Sequence, residues 1–169
     1  RGGGSALFGA SAIGGTINII TKEPIRNSAS FGHTFLSQGG SSSFDNVTTG
    51  NVSLVTDDYK AGVYAFGQTR SRQGYDHDGD GYTELPELRS QTFGLNSYLH
   101  LSPYSKLNLQ YSAIHEYRRG GNQLDQAPHE ANVAEQADHN IQGGGLTYNY
   151  FSPDAHRRLT AYFSFQATS

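Results

Sequence analysis

Asp76, Asp78 and Asp80 stand at alternate positions in the run Asp-His-Asp-Gly-Asp-Gly-Tyr-Thr-Glu-Leu-Pro-Glu, which ends at Glu87. Counted from Asp76, acids fill positions 1, 3 and 5, Gly81 fills position 6 and Glu87 position 12, the spacing of a calcium-binding loop. Carboxylates are hard oxygen donors that suit a hard divalent cation, and a glycine permits the sharp turn that lets them converge. Asp76, Asp78 and Asp80 are the expected first ligands, with the Tyr82 carbonyl and Glu84 or Glu87 completing the shell of a bound Ca2+. Thr83 occupies a position that is normally apolar, Pro86 directly precedes Glu87, and no helical pattern flanks the run, so an EF-hand is not expected. Two readings stay open at this point: a bare Asp-rich calcium site on an exposed loop, and a solvated acidic loop without an ion.

Other candidate chemistry is sparser. His77, His129 and His139 fall in polar stretches and have the donor type to ligate haem iron, although single loop histidines are ordinarily just exposed. Arg118-Arg119 offers guanidinium groups to an anionic ligand or a lipopolysaccharide phosphate, or is a solvated strand end. Enzyme motifs fail on particular residues. The run from Gly4 to Ser11 has Ala10 where a phosphate loop needs Lys, His115-Glu116 is followed by Arg119 where a second His is required, and no Gly-x-Ser-x-Gly occurs. The chain is therefore read as no enzyme.

The elements that would position these groups follow from composition and period. The chain has 169 residues, 35% apolar and 16% charged, with 21 Gly and no Cys, which excludes disulfides and thiol chemistry. A net charge of −3 supplies no basic field, so nucleic acid is not an expected partner. No apolar stretch approaches the roughly 18 residues of a membrane helix. The mean hydropathy of −0.58 leaves a membrane β-barrel open, because barrel strands alternate lipid-facing with lumen-facing residues.

Beyond Pro24 the period is two. Ala29, Phe31, His33 and Phe35 alternate with Ser28, Ser30, Gly32 and Thr34, and further strands are expected at 46–56, 59–69, 90–101, 106–117, 140–150 and 159–168. The connections sort by length: 57–58, 102–105 and 151–155 are short, whereas 37–45, 71–89 and 119–138 are long and polar. Short turns at one end and long loops at the other suit an outer-membrane up-and-down barrel, while a soluble β-sandwich gives no reason for that sorting. In the third strand Tyr59, Ala61, Val63 and Ala65 are expected to face lipid and Lys60, Gly62 and Gln68 the lumen, with Tyr64 and Phe66 departing from the pattern. Tyr59, Tyr98, Tyr104, Tyr148, Tyr150, Phe151 and Tyr162 lie near the short turns, where an aromatic girdle would sit.

The first 22 residues add a family resemblance. Arg1-Gly2-Gly3-Gly4-Ser5-Ala6-Leu7-Phe8-Gly9, then Ala12-Ile13-Gly14-Gly15 and Thr16-Ile17-Asn18-Ile19-Ile20-Thr21, resembles the end of the plug domain of TonB-dependent outer-membrane receptors, with Gly3 and Phe8 where Pro and Tyr are usual. Glu116-Tyr117-Arg118-Arg119-Gly120-Gly121 and Pro128-His129-Glu130-Ala131 look like early barrel strands of receptors from the Bacteroidetes lineage. The resemblance implies an all-β fold: residues 1–24 close a plug, and 25–169 form about the first seven strands of an antiparallel transmembrane barrel of about 22 strands. It implies a fragment of an active transporter in the outer membrane of a Gram-negative bacterium. That parent would bind a scarce nutrient such as a siderophore, haem, cobalamin or oligosaccharide, with the TonB complex and outer-membrane lipid as partners. Cobalamin receptors of that family hold calcium on Asp-rich loops, which bears on Asp76 to Glu87. The isolated piece, with two open sheet edges, is expected to oligomerise. The alternative is a soluble β-sandwich binding or adhesion module with a calcium-stabilised loop.

Overall fold

The computed structural model describes residues 23–39 and 43–169; the glycine-rich start and the strand expected at 16–21 lie outside the described residues. Seven strands form one sheet in chain order: β1 (Ser28–Gln38), β2 (Ser43–Val55), β3 (Ala61–Arg72), β4 (Glu87–Ser102), β5 (Ser105–Gly121), β6 (Ala134–Phe151) and β7 (Arg158–Thr168). Every neighbouring pair is antiparallel, and no helix occurs among the described residues. The period-two pattern thus yields an up-and-down meander, and β1 and β7 are its edges.

Register aligns like residues into rows, because directly paired residues share a face. Leu54, Val63, Ser97, Leu109, Leu146 and Phe163 are paired successively from β2 to β7, and Val52, Ala65, Leu95, Tyr111, Gly144 and Phe165 form the next row on that face. One residue along each strand, the other face carries Ser53, Tyr64, Asn96, Gln110, Gly145 and Ser164. The apolar rows run on β5 from Leu107 to Ala113, about 20 Å at roughly 3.4 Å per residue. A polar row ends them: His33, Thr48, Thr69, Gln91, His115 and Asn140. The expected facing of β3 matches this register for Ala61, Val63 and Ala65 against Gly62 and Gln68; Tyr59 and Lys60 precede the strand.

No second layer covers either face among the described residues. Leu88 and Tyr98 are the buried hydrophobic residues, whereas Leu54, Leu109, Phe163 and Phe165 are exposed. The aromatics on the polar face have a local reason to be there. Phe66 lies across its register partner Gly94, where an added Cβ would come within 2.2 Å of the ring, and Tyr98 lies across Gly62 in the same way at 2.4 Å. Tyr98 and Tyr162 therefore belong to the polar face, and the girdle expected near the short turns is divided between the two sides.

The turn after β2 is closed by its own side chains. Thr56 Oγ1 donates to Asp58 Oδ1 at 2.8 Å and accepts from Ala61 N at 3.1 Å, while Tyr59 takes φ of 55°. The turn after β6 repeats the device: Ser152 Oγ donates to Asp154 Oδ1 and accepts from Arg157 N, and Ala155 takes φ of 57°. The Lys60 ammonium, the Thr56 hydroxyl and the Lys60 backbone N–H together draw the Asp58 carboxyl down from 3.8 to about 2. A depressed pKa means that this contribution to folding is complete above the unfolded value near 3.8 and is lost as pH falls through about 2. A carboxyl-carbon NMR titration should place Asp58 near 2, and Lys60→Gln should move it upward; an unmoved midpoint would remove Lys60 as the cause.

At the opposite end the strands extend further than expected. Pairing continues to Gln38–Ser43, Arg72–Leu88 and Gly121–Ala134, so the connections after β3 and β5 shorten to 73–86 and 122–133. Residues 37–38 and 43–45, expected as loop, are strand, a correction with a clear cause. Ser43 and Asp45 are polar but buried, and Asp45 receives a two-pronged bond from Arg70, with Nε 3.0 Å from Oδ1 and Nη2 2.5 Å from Oδ2.

Candidate metal centre and the polar face

The acidic run forms the connection between β3 and β4. A single antiparallel bridge, Tyr75 N to Leu85 O at 2.9 Å with its reciprocal at 3.1 Å, closes it at the base. Inside this closure each carboxylate binds backbone amides. Asp76 accepts from Gly79 N at 2.7 Å and Gly81 N at 2.8 Å, Asp80 accepts from Tyr82 N at 2.8 Å, and Glu84 accepts from His77 N at 2.5 Å. Gly79 and Gly81 adopt φ of 79° and 88°, left-handed values that the tight path requires and glycine takes without strain.

One oxygen from each of Asp76, Asp78, Asp80 and Glu84 lies within 4.8 Å of the others, so the loop brings together four of the six expected ligand positions. Glu87 lies apart, at the start of β4, where its carboxylate pairs with Arg89 at 2.7 Å. Between the two alternatives for the acidic side chain, the geometry therefore selects Glu84. The Tyr82 N–H is used by Asp80. The donor set fits a calcium-like ion: it is all oxygen, and a carboxylate has enough lone pairs to accept an amide and bind a cation together.

This loop is fastened to the next one. Thr83 N donates to Gly121 O at 3.0 Å, Gly121 N donates to Thr83 Oγ1 at 3.1 Å, and Pro86 packs beside Gly120. Gly121 has φ of 103°, and a Cβ there would sit 2.1 Å from the Val133 carbonyl oxygen, so no other residue fits. Sequence reasoning did not mark Thr83 or Gly121 as partners; they are 38 residues apart, and no local pattern signals such a pair.

The remaining candidates separate. Arg118 is exposed and holds Glu116 at 2.9 Å, while its neighbour Arg119 is 1% exposed and donates Nη1 to the Gly120 carbonyl. Adjacent strand residues face opposite sides, so the two do not form one anion clamp. His139 is paired across from Glu116, His77 stays in the acidic loop, and the metal-competent group found among the described residues contains carboxylates and no histidine.

The polar face carries one more structure. The segment that enters β1 crosses it, with Glu23 bound to Lys106 on β5 and the Arg26 carbonyl bound to Ser53 on β2. What fold and site together define is an all-β, up-and-down sheet with an apolar face, a polar face crossed by its leading segment, and an acidic loop at one end. No protein-family model, curated protein or solved structure matches the chain.

Proposed function

We propose that the chain is part of the wall of a transmembrane β-barrel in the outer membrane of a Gram-negative bacterium, together with the segment that leads into that wall from a plug. The observation that carries this reading is the division of one uncovered sheet into an apolar and a polar face, with the apolar rows ending at the row from His33 to Asn140. An apolar band about 25 Å tall outside and a polar lumen inside is what a barrel in lipid requires. A sandwich would need a second sheet over the apolar face, and none occurs among the described residues. The leading segment lies on the polar side, as it would if it came from inside a lumen.

The resemblance of the first 22 residues narrows the barrel to a TonB-dependent active transporter. Long loops at the outer end capture a scarce nutrient, a siderophore, haem, cobalamin or oligosaccharide, and the TonB complex displaces the plug to admit it. The protein moves its ligand and does not transform it. Asp76, Asp78, Asp80 and Glu84 hold a calcium ion that orders the outer end. Nitroxides at Leu109 and Gln110 in the full gene product test the wall assignment. Oxygen should relax the first more strongly and a water-soluble nickel complex the second; equal water access at both would reject it.

A further inference from the structure

The segment entering β1 is held across the polar face by contacts to four strands, and its two ends are held differently. Near β1, Ser53 Oγ donates to the Arg26 carbonyl at 2.8 Å and Val55 N donates to Asn27 Oδ1 at 2.6 Å. These neutral bonds reach only to β2, the neighbour of the strand the segment becomes, so they persist while the sheet stands. At the far end a single ion pair reaches β5: Lys106 Nζ lies 2.5 Å from both Glu23 oxygens and 4.9 Å from the centre of the Tyr98 ring. Glu23 is half exposed, so water can compete for that pair.

Between the ends the segment depends on a missing side chain. Gly62 of β3 leaves room that Tyr98 and Pro24 share; a Cβ there would lie 2.4 Å from the Tyr98 ring and 3.0 Å from Pro24 Cγ. Tyr98 is 7% exposed beneath this segment, and a cavity of about 210 Å³ lies where Glu23 and Pro24 meet Asn96 and Asn108.

We propose that Glu23, Lys106 and Tyr98 form a releasable latch. Closed, it lays Glu23 and Pro24 over Tyr98; released, the segment pivots at Arg26–Asn27 and uncovers the polar face between β3 and β5, with every strand pairing intact. This inference rests on the polar face being a lumen wall, where release frees whatever precedes Glu23 to move without unravelling β1.

The test uses the full gene product in its native membrane, with Asn96→Cys as a reporter beneath the segment; this chain has no cysteine of its own. Reaction with a water-soluble maleimide should quicken about three- to tenfold in Glu23→Gln and in Lys106→Gln, the scale of one partly exposed ion pair with a cation–π contact. The exchange Glu23→Lys with Lys106→Glu should return the rate to within about twofold of the parent. Unchanged rates in the single variants, or an exchange as fast as they are, would overturn the latch. Because all variants share one background, a failed wall assignment appears separately, as equal water access at Leu109 and Gln110.

Discussion

Leu109→Arg is expected to destabilise the membrane-inserted sheet strongly, whereas Gln110→Arg, one position along the same strand, leaves its stability nearly unchanged. Leu109 sits in the row that joins Val63, Ser97, Leu146 and Phe163, inside the apolar stretch of β5, two residues from Leu107 at one limit and four from Ala113 at the other. It is 41% exposed, so no protein atom stands ready to receive a charge there. An arginine on a lipid face near the bilayer midplane costs about 2–4 kcal/mol, and the cost falls toward zero at the interfaces. Gln110 pairs with Asn96 and Gly145 on the opposite face, where a guanidinium would meet polar groups and water. The pair controls for strand propensity, since both variants place the same residue in β5. Urea unfolding from lipid vesicles should show the difference as a shift of the midpoint for Leu109→Arg alone, and equal shifts in both variants would contradict a lipid face. A third variant, His115→Arg, lies in the polar row that ends the band, and a small shift there would locate the interface.

How much of this was legible beforehand depends on which face a residue occupies. The apolar face announced itself, because Val63 and Ala65, or Phe163 and Phe165, recur every second residue and match only an extended chain. The short turns were legible for a separate reason: Asp57-Asp58 and Ser152-Pro153-Asp154 are turn formers whose side chains close the turn themselves. Strand ends were not legible. Ser43, Asp45 and Arg72 continue the sheet with polar side chains on the side where polar residues belong, so polarity there marks a face and not a loop. The same ambiguity placed Tyr98 in a girdle, since its burial depends on Gly62 one strand away and on a segment 74 residues earlier in the chain, at Pro24. In the acidic loop, spacing recovered Asp76, Asp78 and Asp80 but offered Glu84 and Glu87 equally. The difference is set by where β4 begins, because Glu87 is already in the strand beside Arg89.

That distinction makes the calcium prediction specific. Four carboxylates within 4.8 Å repel one another, and each close pair of unit charges costs on the order of 1 kcal/mol even in bulk water, so a divalent cation is favoured where their oxygens converge. The loop is partly organised already: Asp76, Asp80 and Glu84 are oriented by backbone amides, and the Tyr75–Leu85 bridge fixes the ends. Pre-ordering of this kind lowers the entropy lost on binding, while exposure to solvent keeps the affinity modest, with a dissociation constant of about 10⁻⁴ to 10⁻³ M, as in extracellular calcium modules. Magnesium should compete poorly, because a set of exposed carboxylates does not impose the tight octahedral shell it requires. Calorimetric titration of the full gene product should give calcium heats that vanish in the double variant Asp78→Asn, Asp80→Asn and fall at least tenfold in affinity in Glu84→Gln. Glu87→Gln should bind as the parent does, since that carboxylate belongs to Arg89. Ion binding should also slow proteolysis at 122–133, because Thr83, four residues from Gly79 in the same loop, exchanges two hydrogen bonds with Gly121 at the base of that connection. Equal heats in parent and double variant, or a loss with Glu87→Gln as large as that with Glu84→Gln, would refute the four-carboxylate site.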